Sequence, residues 1–420
     1  MLSSLKSALK IDDLRKKLVF TLLMFLVFRI GAHIPVPGID TGQLKQLMDS
    51  GTLFGFIDVI SGGAFKKFTI FAMGIMPYIN ASIIMQLLTV VIPALERLAK
   101  EGQEGQKKIV QYTRYGTVIL GGIQATGMAV YLGRSGVLIN ADLASYALIA
   151  MTLTAGTAFL MWLGELITEH GIGNGISLII FAGIVSSLPG GIYTIYQYLI
   201  AGETNVFAVL FFLVIAVVVI AGVVAIQEGQ RRIPVQYAKR VVGRKVYGGQ
   251  STHIPLKVNQ AGVIPVIFAM SILLFPQTIA SWFPDNSIAV WVVNTFNFRT
   301  VPYMITYALL IIFFTYFYTA VTFNPQDVAD NMKKYGGFIP GLRPGKPTSE
   351  YIDRVLTRVT LAGAIFLALI ALLPNFVMAI TGLNIFFGGT ALLIVVGVAL
   401  ETMKQIESHL LMRNYQGFMK

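Results

Sequence analysis

LFGFIDVISGGAFKKFTIFAMGIMPYINASIIMQLLTVVIPAL, residues 53–95, holds two apolar runs of unequal length, parted at Ser61-Gly62-Gly63. As a helix the first run, 53–60, rises only about 12 Å, far short of a hydrocarbon core about 30 Å thick. The second, from Phe68 onward, is long enough to cross. A half-helix at membrane depth survives only where protein or a water-filled cavity surrounds it, because lipid offers its loose backbone ends no partner. In the crossing piece Ile75, Ile79 and Ile83 recur every four residues and so share one helix face. That pattern fits a path through the membrane, narrowed by isoleucine and blocked by the half-helix. Ordinary helix packing uses the same stripe.

Of the 420 residues 55% are hydrophobic and 12% charged. Soluble domains are about a quarter charged, so the composition reads as a multi-span membrane protein. No cleaved signal peptide is expected: 1–17 is polar and basic, and the apolar run from Leu18 ends without a small-x-small site. The lack of cysteine excludes disulfides, thiol catalysis and Cys-ligated metals, and the four histidines (His33, His170, His253, His409) are too scattered for a zinc site. A net charge of +12 suits loops that face anionic lipid headgroups or an acidic partner such as ribosomal RNA.

Apolar runs of roughly 20 residues mark ten spans. They lie at about 18–35, 68–92, 115–133, 145–164, 175–195, 206–226, 259–280, 303–323, 356–378 and 385–401. An even number puts both termini on one side. All but six of the 32 Lys and Arg fall in the N-terminal segment, the loops after spans 2, 6 and 8, and the tail; the six are Arg29, Lys45, Lys66, Lys67, Arg134 and Arg299. The positive-inside rule then places both termini in the cytoplasm.

Two cytoplasmic loops are too patterned to be mere connectors. The first, 227–258 (QEGQRRIPVQYAKRVVGRKVYGGQSTHIPLKV), alternates basic with β-branched and aromatic residues, as a hairpin does. The second, 323–352, has a short helical pattern and then a Gly/Pro-rich basic turn. Tyr237, Tyr247, Phe338 and Ile339 among those charges suggest docking platforms for a cytosolic partner, whereas charge alone requires only solvated anchors. On the outward side IPVPGID (34–40) reads as a Pro-stiffened turn before the half-helix.

Ionisable groups are nearly missing from the spans. Arg29 sits in span 1, Glu165 and Glu169 fall at the cytoplasmic end of span 4, and no Asp or Glu occupies a span centre. An ion-coupled transporter needs carboxylates there. An intramembrane zinc protease needs HExxH, which is absent. The polar groups present are amides and hydroxyls: Asn80, Gln86 and Thr89 in span 2, and Asn259 and Gln260 at the start of span 7. Each suits a helix-packing hydrogen bond, and their concentration on two spans suggests a pair that meets and can part.

The run GELITEHGIGNGISLIIFAGIVSSLP (164–189) resembles the span 4–5 signature of the SecY family, the central subunits of the bacterial protein-conducting channel. The resemblance extends in order through FRIGAHIPVPGID (28–40), GIMPYINASIIMQLL (74–88), QYTRYGT (111–117), GQRRIPVQYAKR (229–240), STHIPLKVNQAGVIPVIFA (251–269), FNPQDVADNMKK (323–334), PGLRPG (340–345) and GGTALLIVVGV (388–398). It implies an all-α polytopic protein of ten transmembrane helices in two pseudo-symmetric five-helix halves, 1–196 and 197–420, around an hourglass pore. A ring of aliphatic residues at the waist falls here on Ile75, Ile79, Ile176, Ile180, Ile267 and Ile394. The half-helix, about 53–64, resembles the plug, with Gly62 and Gly63 as its hinge.

The resemblance further implies a lateral gate, where spans 2 and 7 border spans 8 and 3, with Gln86, Thr89 and Asn259 as polar gate residues. It implies SecE and SecG as companion subunits, no cofactor, and cytoplasmic loops that receive the SecA motor or the ribosome, with contacts expected on Arg244, Lys245 and Arg343. Signal peptides and nascent polypeptides are the expected passengers, and the bacterial plasma membrane with its anionic lipids is the expected location.

Overall fold

The computed structural model describes residues 11–40, 42–44, 58, 61–202, 205–237, 240–242, 245–247, 251–283, 286–298, 300–381 and 389–417. Among the described residues ten long helices stand where ten spans were expected. They are α1 (Asp12–Gly31), α2 (Met76–Val91), α4 (Gln103–Arg134), α5 (Leu143–His170), α6 (Gly175–Ile200), α7 (Val206–Glu228), α8 (Ile264–Ser281), α10 (Val301–Thr322), α12 (Lys346–Thr381) and α13 (Gly389–Gly417). Shorter helices α3 (Pro93–Lys100), α9 (Ser287–Thr295) and α11 (Pro325–Lys334) join them. By length and composition alone α4, α5, α6, α7, α10 and α12 can each cross a membrane.

The second span departs most from its expected shape. Its helix begins at Met76 rather than Phe68, with Pro77 in the first turn, and 61–75 folds as successive turns closed by Phe68 N–H to Phe65 C=O (2.9 Å), Ala72 to Thr69 (2.8 Å) and Gly74 to Phe71 (2.8 Å). Phe65, Phe68 and Phe71 are buried, so ring packing pulls this segment out of helical form. At Ile92 the chain bends by 100° into α3, because Pro93 has no N–H with which to continue the ladder. The hydrogen bond from Lys100 holds the Glu96 carboxyl on α3 below the usual carboxylate range.

One hydrophobic core runs through the bundle, drawing on Phe28, Ile79, Leu160, Ile180, Phe268, Ile311, Leu367 and Leu393. A second, at one end of the bundle, joins Val36, Phe65 and Phe68 to Leu132 on α4 and Leu153 on α5. Isolated bridges Pro35–Thr69 and Ile39–Leu138 tie the loops there together. At the opposite end Leu14, Ile172 and Ile406 pack together, and Lys404 pairs with Glu228 at 2.8 Å. The start of α1 and the later turns of α13 therefore lie on one side of the bundle.

The two long basic loops form a single module. β1 (Gln230–Tyr237) pairs antiparallel with β4 (Ser251–Lys257), from Gln230 opposite Lys257 to Gln236 opposite Ser251. β2 (Arg240–Val242) and β3 (Lys245–Tyr247) make a smaller hairpin between them. β5 (Gly337–Phe338), from the second loop, pairs with the other edge of β1 and gives the order β4-β1-β5. Ile233, Val235, Leu256, Met332, Ile339, Ile352 and Leu356 fill its core, with Tyr237 packed against them. Ile339 and Tyr237 thus hold the module together rather than forming an outward docking surface. The side chain of Tyr247 lies outside the described residues.

Candidate functional site

The six isoleucines come from four helices and fall within the first two turns of each. Ile75 is the N-cap of α2 and its carbonyl accepts from Ile79 N–H at 3.1 Å, which keeps the two on one face. Asn174 caps α6, its Oδ1 accepting from Ser177 N–H at 3.2 Å, and sets the direction in which Ile176 and Ile180 project. Ile267 lies in the first turn of α8 and Ile394 early in α13. Ile75, Ile79, Ile180, Ile267 and Ile394 are at most 5% exposed, and all belong to the central core. Ile176 is half-buried at its margin; a Cβ at Gly164 of α5 would come within 2.5 Å of its Cδ1, so it leans on the neighbouring helix. Among the described residues the buried polar side chains are hydroxyls and amides, without a carboxylate or a cation.

Beside this cluster the structure gives Arg29 its partners. Its guanidinium donates to the Gly62 carbonyl at 2.9 Å and to Ser186 Oγ on α6 at 2.8 Å. Gly62 (φ +69°) and Gly63 (φ +83°) adopt left-handed backbone that other residues avoid, and a Cβ on Gly62 would lie 2.8 Å from Ser186 Oγ and 3.0 Å from Gly183 Cα. Gly63 N–H donates to the Asp58 carbonyl at 2.9 Å, and Lys66 N–H donates to the Asp58 carboxylate at 2.6 Å. Of the half-helix 53–64, residues 53–57, 59 and 60 lie outside the described residues.

Of the three expected gate residues, Thr89 and Asn259 bond locally. Thr89 Oγ1 donates to the Gln86 carbonyl at 2.7 Å, within its own helix, and Asn259 Nδ2 donates to the Gly262 carbonyl at 2.8 Å in the turn entering α8. A helix hydroxyl finds an acceptor in its own preceding turn, which removes the need for a partner across the seam. Gln86 and Thr89 are half-buried and Asn259 is buried, its Oδ1 without a partner among the described residues. One polar contact between α2 and α8 is weak, Ser271 Oγ on Met76 Sδ at 4.0 Å. Next to it lies a cavity of about 50 Å³ between α2, α4 and α8, lined by Phe65, Met76, Asn80, Gln124, Met128 and Leu274 among others.

Arg343 is exposed in the turn between Pro340 and Pro344; its carbonyl accepts from Thr348 Oγ1 at 2.8 Å, and Leu342 N–H donates to the buried Ile339 at 3.0 Å. The turn is anchored on both sides, and its guanidinium makes no ion pair among the described residues. Arg244 lies outside the described residues, as does the side chain of Lys245, whose backbone opens β3.

The residue pattern of the SecY family matches 69–403 of this chain. The chain belongs to the SecY family. Across 431 residues it is 52% identical to the protein translocase subunit SecY of Halalkalibacterium halodurans, covering 100% of both chains. To that of Pseudomonas aeruginosa it is 49% identical, covering 98% of this chain and 94% of the relative. Its fold is similar to a solved protein-conducting channel, with a TM-score of 0.67 at 20% identity over 94% of this chain and 92% of the other. It is also similar to Sec61 in a canine ribosome–channel complex, with a TM-score of 0.61 at 18% identity over 94% and 92%. Family membership leaves several contacts of this site unaccounted for. The sequence did not point to the packing of the Trp282 ring on Gly127, nor to the Arg29–Gly62–Ser186 junction, whose signal was a lone charge inside a span.

Proposed function

We propose that the chain is the pore-forming subunit through which unfolded secretory polypeptides cross the bacterial plasma membrane and from which hydrophobic segments leave sideways into lipid. The observation that supports this reading is the convergence of the isoleucines from α2, α6, α8 and α13 on one buried core. A passing polypeptide presents every kind of side chain and every backbone amide, so a waist must offer none of them a preferred partner. Branched hydrocarbon makes no hydrogen bond, fits closely and is easily pushed aside. When vacant, a narrow apolar constriction dewets, and an ion entering it forfeits its hydration.

In this reading Ile75, Ile79, Ile176, Ile180, Ile267 and Ile394 form the ring, and residues 53–64 close the outer funnel, turning at Gly62 and Gly63. The halves 1–196 and 197–420 part where α2 and α4 face α8 and α10. A segment of ten Leu-like residues gains roughly 3–6 kcal/mol at the membrane centre, which selects lipid over the pore. Both termini and the β4-β1-β5 module face the cytoplasm, where SecA or the ribosome docks and Arg343, Arg244 and Lys245 make contact. SecE and SecG complete the complex, and anionic headgroups meet the basic loops.

Replacing both Ile75→Ser and Ile79→Ser is expected to raise the ion conductance of the idle channel in a planar bilayer; unchanged conductance would contradict the ring. Arg343→Glu is expected to stop motor-driven export while the purified complex stays intact, and normal export by that variant would remove Arg343 from the docking surface.

A further inference from the structure

Sideways release requires α4 and α8 to separate, so any role for the seam between them rests on the proposed lateral gate. Two stripes face each other across that seam: Gln124, Gly127, Met128 and Arg134 on α4, and Ser271, Leu274, Phe275 and Thr278 on α8, continued by Trp282 at its C-cap. Spacings of three, four and seven residues keep each set on one helix face. Along the inner part the stripes are loosely joined. The cavity of about 50 Å³ lies between them, and the contact of Ser271 beside it, a hydroxyl on the weak thioether acceptor of Met76, goes to α2 and not to α4.

At the outer end the packing changes. The fused edge of the Trp282 indole lies flat on Gly127, where a Cβ would collide with Cδ2, Cε2 and Cζ2, so no residue other than glycine fits beneath the ring as it stands. Trp282 is 9% exposed, and its carbonyl accepts from Arg134 at 3.4 Å, a long bond made by an exposed side chain. Its Nε1–H has no partner among the described residues. Shape holds this ring, and no hydrogen bond of its own ties it down. Once displaced it reaches the membrane–water interface, where Trp is favoured and the N–H finds water.

We propose that Trp282, seated in the notch at Gly127, is the clasp of the α4–α8 seam and sets how hydrophobic a segment must be to open it. The ring is the largest side chain joining the two stripes, and the void further along the seam, lined by Gln124, Met128 and Thr278, leaves the rest of it little to resist separation. A weaker clasp lowers the threshold. Segments too polar to part α4 from α8 in the intact chain then succeed, while strongly hydrophobic segments, already past the threshold, gain little.

The test uses the full chain with its companion subunits in proteoliposomes, with two substrates that differ only in the hydrophobicity of the signal segment. Trp282→Ala and Gly127→Val act from opposite helices, and each is expected to raise export of the weak-signal substrate about tenfold relative to the strong one, equivalent to about 1.4 kcal/mol. Trp282→Phe, which keeps a smaller ring in the notch, is expected to fall between them and the intact chain. In a chain carrying Trp162→Phe and Trp291→Phe, Trp282 is the one indole left, and its emission is expected to shift red when a strong signal peptide binds. The absence of native cysteine allows a control, Gln124→Cys with Ser271→Cys, to lock the seam by oxidation. If oxidation stops export while the Trp282 and Gly127 variants discriminate signals as the intact chain does, the clasp is overturned and the gate stands. If the locked chain still exports, seam opening itself is overturned and the clasp with it.

Discussion

α4 has two flanks, and each carries a glycine beneath an aromatic ring. Toward α5 a Cβ on Gly133 would strike the ring and hydroxyl of Tyr146; toward α8 a Cβ on Gly127 would strike Trp282. The surroundings differ. The α5 flank continues without interruption through Ala125, Ala129, Leu132, Ile149 and Leu153, all nearly inaccessible. The α8 flank runs into a cavity, beside which Ser271 of α8 turns its hydroxyl to Met76 of α2 rather than to α4. The same device is thus one contact among many on the α5 flank, and on the α8 flank, the proposed gate, it stands near a void. In lipid, helices gain nothing from hiding hydrocarbon from water, so the completeness of packing decides which pairs are permanent.

That contrast is open to attack at several points, all readable as thermal unfolding of the detergent-solubilised complex. Leu153→Ala, in the continuous flank, is expected to cost about 2–5 kcal/mol through its cavity. Gly133→Leu is expected to cost about 1–3 kcal/mol by forcing Tyr146 from its place. Gly127→Leu is expected to shift unfolding by less than half of that while altering signal discrimination; equal losses at both glycines would erase the distinction between the flanks. Arg29→Gln removes a charged donor shared by Gly62 and Ser186 and is expected to cost about 1.5–3 kcal/mol, a polar counterpart to the apolar clasp. Smallest of all, Ser271→Ala in the loose flank is expected to cost about 0.5 kcal/mol, and a loss above that of Gly133→Leu would show that the seam is held at its middle.

Much of the architecture was legible in the residues. The ten apolar runs became ten helices, the hairpin of 227–258 formed, and the short helix and turn of 323–352 came out as expected. What escaped has identifiable causes. Phe65, Phe68 and Phe71 read as the start of a span, yet their burial delays the helix to Met76. Tyr237 and Ile339 read as surface apolar residues because each loop was weighed by itself, while β1–β5 pairing unites the two loops and gives those side chains a core. For Gln86, Thr89 and Asn259, expected as polar gate residues, the sequence shows that a hydroxyl or amide is present and not which carbonyl it chooses.

By itself the sequence determined where the long apolar helices lie and the family to which the chain belongs, since hydropathy and motif order are written along one dimension. Tertiary structure alone decided which face of each helix meets protein and which meets lipid. In a soluble helix the apolar stripe marks that face, but in a membrane both faces are hydrocarbon and the stripe vanishes. Whether Gly127 lies against lipid or beneath an indole was settled by how the helices pack.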